Sequence, residues 1–162
     1  MSQQSLNECL AELHAQLGGE KAAVDDEHAR WGLYQRAMAA PDAWAPLRRA
    51  LENEPDPAVA SSVVLQMLER LPAEEHEPWV RALHSEDKRA YAQRRSQDLQ
   101  VLEAALGGRE VEREDWSVWL QLKLAEQVGD ARLLAELAEE GETKRVRATA
   151  AERLRAVRRS HS

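Results

Sequence analysis

The five residues Asn53-Glu54-Pro55-Asp56-Pro57 lie between two apolar stripes and leave the backbone few paths. Each proline biases the residue before it away from helical angles, so a helix arriving from the N-terminal side stops there. Asp56 then precedes Pro57 directly. That order suits a capping carboxylate followed by a first-turn residue whose missing N–H costs nothing. Before the corner, Ala43, Leu47, Ala50 and Leu51 recur at intervals of three and four. After it, Val59, Val63, Met67 and Leu71 do the same, with Val64 and Leu68 beside them. Residues 41 to 71 therefore predict two helices joined by one tight corner. A hairpin this short cannot bury both stripes alone, so it needs neighbours.

The flanking sequence supplies them. Leu6, Leu10, Leu13 and Leu17 mark a helix over Ser5 to Leu17, stopped by Gly18-Gly19. A second runs from about Glu20 to Ala39, with Ala23, Val24, Trp31, Tyr34 and Met38 expected to be buried. Beyond the hairpin, a short helix over Glu75 to Leu83 carries Trp79, Val80 and Leu83. Ser85 caps a long helix over Glu86 to Leu106 whose apolar side holds Tyr91, Leu99, Leu102 and Leu106. Asp115 to Val128, Ala131 to Glu139 and Glu142 to Arg159 complete the series, and Ser160-His161-Ser162 is expected to fray. The chain has no Phe and no Ile, so Leu, Ala, Val and five Trp must build the core. β-branched and aromatic residues are too scarce to fill a sheet. The expected fold is all-α, one domain over residues 1 to 162 with about nine helices. Residues 1 to 40 form a helical cap and residues 41 to 159 form stacked hairpins.

Three corners superpose. Leu51 stands eight residues before Val59, Leu83 eight before Tyr91, and Ala138 eight before Val146. The segment LRRALENEPDPAVASSVVLQML, residues 47 to 68, resembles a HEAT repeat, whose corner favours Asp-Pro and whose second helix opens with a Val-Arg-like pair. LLAELAEEGETKRVRATAAERL, residues 133 to 154, is similar and places Val146-Arg147 at that pair, whereas the first copy has Ala60 in the Arg position. The resemblance spans about residues 42 to 158. It implies a short right-handed α-solenoid with a curved face lined by second helices, including Arg89, Arg94, Arg147 and Arg155. The rival all-α arrangement is a compact helical bundle around one shared core.

No catalytic signature is present, so a non-enzyme without cofactor or metal is expected. The chain holds no HExxH, no GxSxG elbow, no SxxK pair and no glycine-rich phosphate loop. His14, His28 and His76 sit among carboxylates on predicted helices, where a solvated or capping role is expected. Cys9 is the only cysteine. Its acidic neighbours raise a thiol pKa rather than lower it. A lone cysteine, no basic-then-apolar N-terminus and no long apolar run lead us to expect a cytoplasmic protein that does not enter membranes.

Charge is unevenly spread. Seven basic residues against Glu142 and Glu152 give residues 142 to 162 a charge of +5, which leaves −12 on residues 1 to 141 of the −7 total. On the last helix Arg147, Arg155 and Arg158 share one side, a stripe able to track phosphates, and Lys88, Arg89, Arg94 and Arg95 add to it. By the HEAT analogy, DNA glycosylases of similar build use basic inner helices. Against nucleic acid stand the acidic whole and the lack of stacking groups on those helices. Trp116, Trp119 and Lys123 share a face and are the expected place for an exposed aromatic. The expected function is a non-catalytic interaction module, an adaptor or an immunity-type inhibitor, that binds another protein or an extended peptide. Nucleic-acid binding through the basic last helix is the alternative, and pairing of two copies into a homodimer stays open.

Overall fold

A computed structural model describes residues 5 to 18, 26 to 112 and 115 to 160. The expectations for Gly19, Ala23, Val24, the helix start near Glu20 and the tail after Ser160 fall outside the described residues. Those residues form nine α-helices and no strand, an all-α fold. They are α1 (Leu6–Leu17), α2 (Glu27–Met38), α3 (Trp44–Glu52), α4 (Pro57–Arg70), α5 (Glu77–Arg81), α6 (Glu86–Leu106), α7 (Val118–Gln127), α8 (Ala131–Glu140) and α9 (Lys144–Ser160). Contacts sort the chain into two units, with the boundary after Ser96, inside α6.

Caps define most of the helix starts. Ser5, Asp26, Ser117 and Asp130 each accept a backbone N–H of the first turn of α1, α2, α7 and α8. Asp56 accepts from Ala58 N at 2.9 Å and Val59 N at 3.4 Å, so the proline corner caps α4 as expected. The expected helix over Asp115 to Val128 begins later, at Val118. Its cap is Ser117, and Asp115 lies outside it with φ 51°, in the left-handed region.

In the first unit α1, α2 and α3 pack on one another and α4 packs on α2 and α5. Leu10, Leu13, Leu33, Tyr34, Leu47, Leu51, Val63, Met67 and Leu68 are buried there. The inward stripe of α2 also includes a charged residue. Arg30 is 4% exposed and clasps Glu54, with Nε to Oε1 at 2.8 Å and Nη2 to Oε2 at 3.0 Å. The Tyr34 hydroxyl donates to Oε1 at 2.9 Å and the Asp56 N–H donates to Oε2 at 2.9 Å. Burial and the Glu54 charge together push the Tyr34 hydroxyl pKa well up, and the bond from Glu54 holds Arg30 charged.

Two readings of this unit are corrected. His76, expected in solvent or at a cap, is buried. Its Nε2–H donates to the Leu71 carbonyl at 2.9 Å, which leaves Nδ1 to accept from the Ser96 hydroxyl at 2.7 Å. Tyr91, placed on the apolar side of α6, is 56% exposed, and the inward positions are Ala92 and Ser96. The middle corner is thus one residue out of register with the other two.

The second unit gathers Leu102, Trp116, Leu120, Leu124, Leu134, Leu137, Val146, Ala150 and Leu154 into one core from α6, α7, α8 and α9. Leu106, expected inside, is half exposed because α6 ends there at Gly107-Gly108, with Gly108 at φ 79°. The Gln121 amide donates to the Trp116 carbonyl at 2.9 Å and accepts from Glu142 N–H at 2.9 Å. Asp98 is buried and accepts from the Ser117 hydroxyl at 2.7 Å, which holds that cap in place. At the α8–α9 corner Gly141 has no room for a side chain, since a Cβ would lie 2.6 Å from the Leu137 carbonyl oxygen and 2.7 Å from Val146 Cγ1.

Glu54→Ala strands a buried guanidinium, so urea unfolding should show a loss of roughly 3–5 kcal/mol; Arg30→Met with Glu54→Leu should lose much less. An unchanged midpoint for the single variant counts against the clasp as a structural tie. Gly141→Ala should cost about 1–3 kcal/mol by the same measurement, from overpacking against backbone that cannot step aside.

Candidate functional site

Helix α9 starts after Thr143, whose hydroxyl accepts Val146 N–H at 3.1 Å, and its apolar side enters the core of the second unit through Val146, Ala150 and Leu154. That packing fixes which residues face water. Lys144, Arg145, Arg155, Arg158 and Arg159 are exposed, with Glu152 the acidic residue among them. The other two arginines of the helix hold backbone. Arg147 Nη1 donates to the Gly141 carbonyl at 2.7 Å, and Arg153 Nε donates to the Val128 carbonyl at 3.0 Å. The expected stripe of Arg147, Arg155 and Arg158 therefore divides: the first closes a corner and the other two stand in solvent.

Helix α6 repeats this division. Arg89, expected on a binding face, donates through Nε and Nη2 to the Leu83 carbonyl at 3.1 and 2.6 Å and so closes the α5–α6 corner. Arg94 is exposed, and Arg95 lies 5.7 Å from the centre of the Tyr91 ring. Tyr91 is therefore an exposed aromatic beside basic residues, where none was expected. Of the four arginines expected on one curved face, Arg89 and Arg94 lie in the first unit and Arg147 and Arg155 in the second.

The expected aromatic trio also divides. Trp116 is 9% exposed and belongs to the core. Trp119 is half-buried, and Lys123 Nζ lies 5.7 Å from the centre of its ring.

Cys9 is fully buried, and burial, then Glu12, pushes its thiol up, in the expected direction. Among the described residues no group of three His, Cys, Asp or Glu side chains is placed to hold a metal ion, and no helix is long and apolar enough to cross a membrane. An open groove in the first unit is lined by Trp31, Val59 and the acidic start of α2. The Asp56 carboxylate lies against Glu27 and holds the Glu27 carboxyl above the usual range, while backbone N–H groups hold Asp56 below it.

None of the protein-family models, curated proteins or solved structures compared with this chain matches it significantly.

Glu27 keeps its proton to higher pH in the folded chain than in the unfolded one, so its ionisation opposes folding above the ordinary Glu range, about pH 4.3, and has no effect well below it. Glu27→Gln should therefore raise Tm slightly at about pH 7 and leave it unchanged at about pH 3. Equal shifts at both pH values argue against the carboxyl pair.

Proposed function

We propose that the chain is a non-catalytic interaction module, an adaptor or an inhibitor, that binds another protein or an extended peptide through the outward face of α9. The observation that carries this reading is the sorting of charge on that helix. Five cations share the exposed side with one carboxylate, and the apolar side is committed to the core. Such a face suits carboxylates on a partner, and it contributes more to encounter rate and register than to raw affinity. The α3–α4 and α8–α9 pairs serve in this reading as HEAT-like hairpins. In both, a capped second helix buries a valine at the matching position, Val59 or Val146.

A second reading, nucleic-acid binding along α9, draws support from the exposure of Arg155 and Arg158, which are three residues apart on one face. It is the weaker one, because Arg147 and Arg153 are tied to backbone carbonyls and α9 carries no aromatic to stack a base.

Capture from native cell extract on the immobilised chain, followed by mass spectrometry, separates the two. The first reading expects a stoichiometric protein that resists nuclease and is lost from a chain carrying Arg155→Ala, Arg158→Ala and Arg159→Ala. Capture that disappears with nuclease, with duplex binding that falls steeply with salt, overturns it for the second. Capture unaffected by the three substitutions removes α9 from both.

A further inference from the structure

The two corners of the first unit enclose an apolar slot of about 180 Å³. Leu51, Pro55, Pro57 and Ala60 line it from the α3–α4 corner, and Leu83 and Lys88 from the α5–α6 corner. Both corners are held firmly. Glu54 is tied to Arg30, Tyr34 and the Asp56 N–H, Arg89 closes the second corner onto the Leu83 carbonyl, and the His84 ring donates to the Glu52 carbonyl across the gap. A cavity of roughly 150 Å³ lined by apolar side chains admits one benzene-sized group, so this slot takes a single aliphatic side chain.

Its charge is one-sided. Glu54 also borders the slot, but the Arg30 guanidinium already answers that carboxylate. Lys88 is half-buried, and no described residue gives its ammonium a hydrogen bond or an ion pair. The neighbouring carboxylates of the first turn of α6, Glu86 and Asp87, are exposed and are not among the residues lining the slot. An apolar slot bordered by an unpaired ammonium complements a ligand with an aliphatic group and a carboxylate a few bonds apart.

We propose that this slot captures the last residue of a partner polypeptide, its aliphatic side chain inside and its terminal carboxylate on Lys88. A chain end fits better than an internal segment, because the slot holds one residue and an end need not continue past it. The proposal rests on the reading of the chain as an interaction module but uses a surface of the first unit, separate from α9.

Fluorescein-tagged hexapeptides ending in Leu, as free acid and as amide, can be titrated onto the full-length chain by anisotropy, with amide-resonance shifts in ¹H–¹⁵N spectra locating the site. The free acid should bind, and amidation, a final Ala, or Lys88→Gln should each weaken it by about tenfold or more, the size of one charge-assisted hydrogen bond. Ala60→Leu, which fills the slot, should abolish binding in a chain whose spectrum shows it folded. Equal binding of acid and amide, shifts that avoid Ala60 and Leu83, or no shifts at millimolar peptide overturn the proposal. Octanoate that binds as tightly as the peptide overturns it in favour of a small amphipathic acid. The Arg155, Arg158 and Arg159 substitutions should leave peptide binding intact, so loss of the α9 reading and loss of this one give different results.

Discussion

A carboxylate leaves water only where other groups supply what water did, and in the first unit that carboxylate is Glu54. It receives two N–H donors from Arg30, a hydroxyl from Tyr34 and the N–H of Asp56 two residues on. Arg30 and Tyr34 are four apart on α2 and share a face with Leu33 and Ala37. Meeting Glu54 therefore fixes how α2 is rotated about its own axis, and with it which side chains reach α1 and α3. The corner that looked in sequence like a stop signal is also the anchor point for a helix whose contacting residues lie 24 and 20 positions earlier.

Local chemistry was legible at several places where cause and effect lie within one helix turn, although the Ser117 cap of α7 was missed. The Asp56–Pro57 start of α4, the Ser85 start of α6 and the stripe of Val59, Val63 and Met67 follow from spacing alone, and the structure agrees. His76 and Tyr91 did not read correctly, and Arg30 was not singled out, for one shared reason. Periodicity sorts residues by polarity, but their burial depends on partners twenty or more positions away, or on the lack of one. Arg30 occupies an inward position because Glu54 awaits it, and His76 because the Leu71 carbonyl and Ser96 accept and donate in turn. Tyr91 lies outside because Ala92, a smaller residue, takes the inward place. Arg30 and Tyr34 four apart, with a glutamate inside a proline corner, were the available signal for the clasp. Of the expected surface, Arg94, Arg155 and Arg158 are exposed, whereas Arg89, Arg147 and Trp116 serve the fold.

The arginines illustrate how one residue type does two jobs. A guanidinium near a helix start can turn back and donate to the carbonyls that the preceding helix leaves unpaired. Arg89 does so for Leu83, and Arg147 for Gly141. Each corner is thereby closed by a side chain that a count of charge assigns to the surface. The exposed cations of α9 are consequently those toward its two ends, Lys144 and Arg145 at one and Arg155, Arg158 and Arg159 at the other.

Gln121 has a consequence of another kind. Its amide donates in one direction and accepts in the other, so it connects the lead-in of α7 to the turn before α9, twenty-one residues on. Glutamate has the same shape but only acceptors, and leucine has neither group. The residues between are consequently a closed loop of fixed count. One residue added within α8 would swing everything after it by about 100° around that helix and carry the Glu142 N–H out of reach. The spacing between Gln121 and Glu142 is therefore itself part of the core.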